Sequence, residues 1–433
     1  MKTFGNISLF YAAVVLLCCG ITTSCKRDMF DIDAYNALIQ ETSPIGDIDA
    51  RHNWTLTRPL TVSVHVDAAE ASSPKSVCIL SDNPYQQENV EILAEKKAAQ
   101  GDVKTLFFYA PTYKSEFYAA ILTSGGDYYL KKFDASQTDV SFTTGIILPG
   151  EELHAPDYQG YTYCFEEEYP KPSDDWDFND LVLRVQKVPA QAENELRLSV
   201  TLAAVGCLKQ MAAAIRLIGY GYDDVENVYI EEGRTFDGTF DDNGVNRQFI
   251  EDGSLLLRAR NGEAVLNLFE DAHWSMSPRL QGGGQGVARL YYNTQRQVDG
   301  TTGAQIRPKT LTYVVKLRNP KNLENYTLND LDVFAIEDFN SGKWEIHTFA
   351  HKAAAVLRDY GSNETATSNN MVWGLMVPNA NFRYPIEGVN MGFYKDGILT
   401  GAYMKDDHSF GQWVMNCESA IDWFCYPSTG LVY

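Results

Sequence analysis

Hydrophobic and polar residues alternate over short stretches along most of this chain. In RPLTVSVHV the apolar side chains occupy every second position from Leu60 to Val66, and in NELRLSVTL they do so from Leu196 to Leu202. This period of two predicts half-buried strands and places His65 on a solvated face. Other runs predicted as strands are SVCIL, KTLFFYAP, EFYAAILTS, DYYLKKF, LVLRVQKV, ARLYYNT, TLTYVVKL and DVFAI.

Two segments depart from this pattern. ENVEILAEKKAAQ, from Glu88 to Gln100, is rich in helix-forming residues and predicts a helix. LKQMAAAIRLIGYG has neither strict alternation nor good helix caps. One interpretation is a strand whose amino-acid composition does not show the usual strand preference. SGGD, between two strand-like runs, predicts a hairpin-type turn.

The succession of short strands separated by turn signals predicts an all-β fold. A segment rich in Pro and Gly, GIILPGEELHAPDYQ, suggests a boundary near residue 147. We therefore expect an N-terminal β-sandwich over 51–146 and a larger jelly-roll-like β-sandwich domain over 147–433.

The first residues have the pattern of a targeting segment. Lys2 precedes an apolar stretch, Leu9 to Ile21, that is short for a bilayer span, and TTSC then ends on Cys25. This pattern resembles a bacterial lipobox, which predicts a signal peptide over 1–24 and lipidation of Cys25. The polar segment over 25–50 is then a tether, and several acyl chains on Cys25 would make a stable membrane anchor.

Composition and charge narrow the possible partners. The chain has 433 residues and a formal net charge of −21, without a basic run. Binding nucleic acid requires clustered Lys and Arg, so nucleic acid is excluded as a partner. An acidic surface of this kind attracts divalent cations.

The cysteines do not form a recognisable framework. Of eight Cys, five lie beyond the lipobox, an odd number without a CxxC pair. This favours small buried side chains over a disulfide scaffold or a zinc ribbon. Whether Cys417 and Cys425 pair across a turn stays open.

The segment SDDWDFNDLVLRV concentrates acids before an apolar strand. Asp175, Asp177 and Asn179 alternate in the manner of a calcium loop, and Asp180 follows. An EF-hand would place Gly at the sixth position and Glu at the twelfth, and this sequence has Asp180 and Gln186 there.

A different calcium loop remains one interpretation of these residues. FEEEYP, just upstream, supplies Glu166 and Glu167, and a divalent cation would relieve the repulsion among so many carboxylates. The alternative is a turn in which Asp and Asn cap main-chain groups. A second, weaker cation candidate is FDGTFDDNGVN, over 236–246.

Catalytic patterns are weak throughout the sequence. A glycosidase would use two carboxylates across a sugar, but any acidic protein offers such pairs by chance. His347 and His351 stand four apart without the H-E-x-x-H order, so packing or hydrogen bonding is expected for them. QGGGQG, over 281–286, follows no predicted strand and indicates a flexible loop. We expect a protein that is not an enzyme.

Several motifs follow one another between residues 48 and 427: IDARHNWTLTRPLTVSV, YCFEEEYPKPSDDWDFNDLVLRV, GKWEIH, VWGLMVPNANFRYPIEGVNM and AYMKDDHSFGQWVMNCESAIDWF. In this order they resemble the LruC-domain family of bacterial envelope lipoproteins. The resemblance implies a β-rich envelope lipoprotein without an agreed activity.

These observations together lead to an expected function. We expect an outer-membrane, lipid-anchored protein at the cell surface with a non-catalytic role in binding, adhesion or envelope structure. Its partners would be the membrane, through the lipid, and an extracellular glycan or protein. The alternatives are a carbohydrate-active or carbohydrate-binding surface protein and a subunit of a surface appendage.

Overall fold

A computed structural model describes most of the chain beyond residue 47. The described residues are 48–167, 175–236, 250, 254–276, 290–297, 302–320, 323–339, 342–351, 356–357, 361–362, 370–395 and 398–433. The predicted signal peptide, Cys25, nearly all of the tether and the QGGGQG loop lie outside them, as does FDGTFDDNGVN beyond Phe236. Among the described residues, no helix has the length and apolar character needed to cross a membrane.

The N-terminal strands form two sheets, and the alternating side chains lie between them. The strands are β1 (Thr57–His65), β2 (Pro74–Leu80), β3 (Glu91–Lys97), β4 (Val103–Pro111), β5 (Glu116–Thr123), β6 (Tyr128–Asp134), β7 (Asp139–Ser141) and β8 (Asp157–Tyr158). One sheet has the order β4-β1-β7 and the other β6-β5-β2-β3-β8. Val62, Val64 and Phe108 of the first sheet share a core with Val77 and Ile121 of the second.

The helix predicted from Glu88 to Gln100 is wrong, because the structure forms strand β3 there. β3 pairs antiparallel with β2 and parallel with β8. Hydrogen bonds on both edges outweigh the helix propensity of Glu, Ala and Lys, which amounts to less than about 1 kcal/mol per residue. The turn predicted at SGGD is confirmed: it joins β5 to β6, and Gly126 has φ 93°.

The following strands build a larger body of two six-stranded sheets. The strands are β9 (Gly160–Phe165), β10 (Leu181–Val188), β11 (Glu195–Ala204), β12 (Met211–Gly221), β13 (Val225–Ile230), β14 (Leu256–Arg258), β15 (Glu263–Phe269), β16 (Tyr291–Tyr292), β17 (Gly303–Ala304), β18 (Lys309–Leu317), β19 (Leu331–Phe339), β20 (Gly342–His347), β21 (Gly361–Ser362) and β22 (Gly374–Val377). One sheet has the order β13-β18-β11-β10-β9-β22 and the other β14-β15-β12-β19-β20-β21. β16 and β17 pair with each other.

A single core joins these two sheets. Leu183 and Leu198 of one sheet belong to the same buried cluster as Ile215, Leu266 and Val333 of the other. The ambiguous segment after Leu208 is strand β12, whose interior location suits its run of small and apolar residues. The described residues are therefore dominated by strands, and the all-β prediction is confirmed.

The C-terminal residues pack against the larger body in short elements. They are β23 (Phe393–Lys395), β24 (Ile398–Thr400), β25 (Met404–Lys405), β26 (His408–Ser409) and helix α2 (Phe410–Met415); helix α1 (Ala272–Met276) lies earlier in the chain. The side chains of Phe382, Tyr403, Phe410 and Trp423 form an aromatic cluster within the same core.

The residues that precede β1 also belong to the larger body. Ile48, Trp54 and Leu56 are members of its core cluster. His52 binds the main-chain oxygen of Trp413 through Nε2 at 3.0 Å, and its Nδ1 accepts from the N–H of Trp54 at 3.0 Å. β8, at the other end of the N-terminal sheets, lies beyond the expected boundary at 146. The division at that residue stays a prediction.

Candidate functional site

The alternating acid loop precedes β10 and lies beside the end of β9. β9 and β10 are antiparallel neighbours in which Phe165 pairs with Leu181. Glu166 and Asp180 immediately flank that pair, so the register brings both carboxylates to one edge of the sheet. This arrangement explains why the upstream acids and the loop acids, separate in sequence, form one cluster.

Two aromatic residues hold the loop in an unusual main-chain conformation. Trp176 has φ 45° and Phe178 has φ 53°, in the left-handed region that bulky residues rarely adopt. The Trp176 ring stacks on Trp373 with centroids 5.0 Å apart, and the Phe178 ring meets the edge of Phe410 at 6.4 Å. Both side chains are buried. Such strain, about 1–3 kcal/mol per residue, persists only where the surroundings enforce it.

Asp177 is buried at the centre of the cluster. Its Oδ1 accepts the N–H of Asn179 at 3.1 Å, and its Oδ2 accepts the N–H of Gly388 at 2.9 Å. Burial, with the charges of Asp175 and Glu387 beside it, raises the pKa of Asp177 well above its usual value. The carboxylate thus links the loop to a distant segment while lying among other acids.

The cluster contains two overlapping sets of oxygen ligands. One carboxylate oxygen from each of Glu166, Asp177 and Asp180 lies within 4.8 Å of the other two, and the same holds for Asp175, Asp177 and Glu387. Calcium binds oxygens at about 2.4 Å, so ligands on opposite sides of one ion are up to about 4.8 Å apart. Each set therefore has the spacing that a shared calcium ion requires.

The acids at the edge of the cluster accept hydrogen bonds from nearby groups. Glu166 Oε2 accepts the N–H of Phe178 at 3.0 Å, and Asp180 Oδ2 accepts the N–H of Glu167 at 2.6 Å. The Glu167 carboxylate lies 2.7 Å from Lys209 Nζ, so Glu167 forms an ion pair at the margin.

Burial and like charges also raise the pKa values of two further acids. Burial, with Glu166, Asp177 and Glu167 nearby, raises the pKa of Asp180 well above its usual value. Burial is also the main cause that raises the pKa of Glu387 to about 7. A divalent cation would favour the ionised form of each carboxylate and offset this repulsion.

Asn179 is completely buried, and only one of its two side-chain polar atoms forms a hydrogen bond among the described residues. Its Nδ2 donates to the main-chain oxygen of Pro385 at 3.3 Å, and its Oδ1 has no hydrogen-bond partner among the described residues. A buried amide oxygen without a donor costs about 1–3 kcal/mol, which suggests a role for that oxygen. Gly206 permits this packing, since a Cβ there would lie 1.7 Å from Asn179 Oδ1.

The structure brings all six predicted ligand residues into one region and adds a seventh. Glu387, absent from the predicted set, belongs to the FRYPIE motif that supported the family resemblance. Its carboxylate accepts the hydroxyl of Thr294 at 3.1 Å. That motif could have pointed to Glu387. It lies far from the acid loop in sequence, however, so the sequence did not show that the two come together.

The other residues considered from the sequence are two histidines with hydrogen-bond partners and two cysteines. His65 lies 2.8 Å from Asp139, and His347 is buried between Asp332 at 2.9 Å and Glu345 at 3.1 Å. His347 is therefore held by hydrogen bonds, as expected from the sequence. Cys417 and Cys425 are both free thiols, the second of them exposed.

Comparisons with known proteins identify the family but no activity. A search of curated proteins finds no match. A crystal structure described as a "Putative lipoprotein from Bacteroides ovatus" is similar over 83% of this chain and 99% of that chain, at 16% identity and a TM-score of 0.48. The family model described as "Domain of unknown function (DUF4842)" matches residues 194–414, a region that contains Glu387, whereas the acid loop precedes it. This chain therefore belongs to the DUF4842 family.

Proposed function

We propose that this chain is a lipid-anchored protein of the outer membrane, displayed at the cell surface, with a non-catalytic role in binding or envelope structure. In this proposal a calcium ion stabilises the cluster around Asp177. The observation that carries the calcium proposal is the convergence of two carboxylate triads on Asp177, a buried residue with a raised pKa.

The chemistry of the cluster supports calcium over other metals. Every candidate ligand is a carboxylate or amide oxygen, the type that hard cations prefer, and neither triad includes His or Cys. Calcium accepts six to eight oxygens in flexible geometry, whereas magnesium requires a near-ideal octahedron. A crowded set drawn from Glu166, Asp175, Asp177, Asp180 and Glu387 therefore suits calcium better.

The proposed ion would act as a structural link. Glu166 follows β9, the Asp175–Asp180 loop precedes β10, and Glu387 lies between β22 and β23. One cation bound by these residues would hold the C-terminal segment against the sheet. The hydrogen bond from the N–H of Met391 to the Trp176 oxygen, 3.0 Å long, reinforces the same junction.

Burial of the carboxylates supports a non-catalytic role. Glu166 and Asp177 are each 1% exposed, and Asp180 is 7% exposed. Their oxygens accept main-chain hydrogen bonds, which a sugar between two catalytic carboxylates would have to displace. The lipobox ending on Cys25 and the resemblance to LruC-domain lipoproteins support the envelope location.

Thermal unfolding of the purified protein tests the calcium proposal. Calcium at about 100 times its Kd should raise the free energy of unfolding by about 2.7 kcal/mol relative to chelator. Asp177→Asn should remove the rise in Tm, Glu387→Gln should reduce it, and the exposed-site control Glu70→Gln should keep it. An equal Tm in millimolar calcium and in EDTA for the unsubstituted protein would refute the calcium site.

Fractionation and protease treatment of intact cells test the anchor and the surface location. The unsubstituted protein should be recovered with the outer membrane and should be cleaved by added protease. Cys25→Ala should release it from the membrane fraction, because the acyl chains would have no attachment site. Membrane association that survives this substitution would contradict the lipid anchor.

A further inference from the structure

An open concavity lies among the C-terminal elements, and its lining includes none of the acid cluster residues. It has a volume of about 440 Å³, within the range of roughly 300–1,000 Å³ typical of small-molecule sites. It is lined by residues of β23, of the turn between β25 and β26, of α2 and of the segment after α2: Tyr394, Asp407, Gln412, Met415, Ser419 and Ala420.

The lining combines an aromatic ring with an aliphatic side chain. Tyr394 is 41% exposed and Met415 is 55% exposed, values that are high for large hydrophobic side chains. Among the described residues, no aromatic ring contacts the Tyr394 ring. The ring therefore offers a free face to a ligand with an apolar surface.

The polar groups of the lining retain hydrogen-bonding capacity. Gln412 uses Oε1 to accept from Ser409 at 3.0 Å and 3.2 Å, which leaves its Nε2 available to donate. In the part of the chain that the structure describes, no hydrogen bond is formed by the Tyr394 hydroxyl, the Asp407 carboxylate or the Ser419 hydroxyl. The concavity thus presents both donors and acceptors next to an apolar surface.

Hydrogen bonds and ring contacts hold the framework of the concavity in place. Ser409 caps α2 by accepting the N–H of Gln412 at 3.2 Å, and Trp413, on the same helix, is buried against Trp54 and Trp423. Asp407 is held at φ 63°, in a tight turn between β25 and β26. Preorganised side chains lose less entropy on binding.

We infer that this concavity binds a neutral carbohydrate. A sugar ring would place its C–H face against Tyr394 and Met415, and its hydroxyls would donate to Asp407 and accept from Gln412. This inference rests on the binding role proposed above and gives that role a ligand class. Calcium would not contact the sugar, because none of the lining residues belongs to the acid cluster.

Charge favours a neutral glycan over an anionic membrane surface. Three exposed acids lie in or next to the lining segments, namely Asp406, Asp407 and Glu418. They would repel phosphate headgroups. The nearby Lys405 has its Nζ 3.4 Å from the centre of the Tyr426 ring, so its charge is already engaged. Carboxylates are, in contrast, good acceptors for sugar hydroxyls.

Binding of a defined oligosaccharide panel to the full protein tests this inference. The probes are neutral oligosaccharides built from glucose, mannose, xylose or galactose, with phosphatidylcholine–phosphatidylglycerol vesicles as the lipid probe. We expect at least one neutral oligosaccharide to bind, and Tyr394→Ala to weaken its affinity by about tenfold or more. Asp407→Asn tolerates the same main-chain conformation and should weaken binding as well.

The matched control is Tyr113→Ala, which removes a tyrosine of similar exposure, 40%, outside the lining. It should leave the affinity for the oligosaccharide unchanged. Lack of binding by every neutral oligosaccharide at millimolar concentration would overturn the inference, as would equal affinity in Tyr394→Ala. Vesicle binding that depends on Tyr394, without oligosaccharide binding, would overturn it in favour of a lipid surface. The calcium-dependent Tm, measured separately, distinguishes failure here from failure of the calcium proposal.

Discussion

Asp177 accepts a main-chain hydrogen bond from Gly388, a residue 211 positions later, with 2.9 Å between Oδ2 and the amide nitrogen. The same carboxylate accepts from Asn179 within its own loop. The buried Asp177 side chain thus connects the loop that precedes β10 with the C-terminal segment. The stability of that junction depends on how the negative charge of Asp177 and its neighbours is balanced.

The carboxylates of the cluster predict how the free energy of unfolding depends on pH in the absence of calcium. Asp177, Asp180 and Glu387 have pKa values raised by folding, to about 7 for Glu387 from an ordinary value of 4.5. A raised carboxylate pKa contributes stability below the unfolded pKa, and this contribution is lost as pH rises through the folded pKa. In EDTA, the free energy of unfolding should therefore fall between pH 4.5 and about 7.

Urea unfolding at a series of pH values measures this slope. Glu387→Gln should flatten the decline, because its amide carries no charge at any pH in the window. Calcium should also flatten it by favouring the ionised carboxylates. A free energy of unfolding in EDTA that rises over this window would contradict the charge balance inferred for the cluster.

The close packing of Asn179 predicts a strict requirement for glycine at position 206. A Cβ at Gly206 would lie 1.7 Å from Asn179 Oδ1 and 2.7 Å from its main-chain oxygen. Gly206→Ala should therefore destabilise the protein by about 1–3 kcal/mol and reduce the calcium-dependent rise in Tm. The control Gly125→Ala, where the nearest atoms are 3.6 Å away, should change stability by less than about 0.5 kcal/mol. Equal unfolding midpoints for the two variants would refute this.

The buried pair of His347 and Asp332 predicts a second, alkaline transition. Asp332 and Glu345 raise the pKa of His347 to about 9 despite its burial. Because the folded pKa exceeds the ordinary 6.5, the stabilisation is complete below pH 6.5 and is lost as pH rises through about 9. Imidazole proton signals in NMR spectra should show His347 titrating near that value.

Asp332→Asn should lower the pKa of His347, because it removes the carboxylate that raises it most. Asp139→Asn, which alters the partner of the surface residue His65, should leave the His347 titration unchanged. A His347 signal that titrates near 6.5 in the unsubstituted protein would show that the two buried carboxylates do not hold its proton.

The sequence predicted the strands well where one face is buried and the other solvated. β1 and β11 both follow the period of two, which fixes which side chains enter the core. The prediction failed for β3, whose composition favours a helix but whose two edges are both paired. Pairing partners come from distant segments, so local propensity could not reveal them.

Only the residues of the candidate site that lie close together in sequence could be predicted. The alternation of Asp175, Asp177 and Asn179 marked the loop, and the antiparallel pairing of β9 with β10 explains the addition of Glu166. Glu387 required knowledge that a segment more than 200 residues away returns to the loop. Long-range convergence of this kind follows from topology, which alternation and motif spacing do not encode.

The packing of Trp54 and His52 against Trp413 has a mechanical consequence. The chain enters the larger body first, then builds the N-terminal sheets, then returns through β8 to form β9. The N-terminal sandwich is thus an insertion whose two connections meet the same body. Tension on the proposed lipid tether would therefore act on the aromatic contacts at Trp413 before it reached the inserted sandwich.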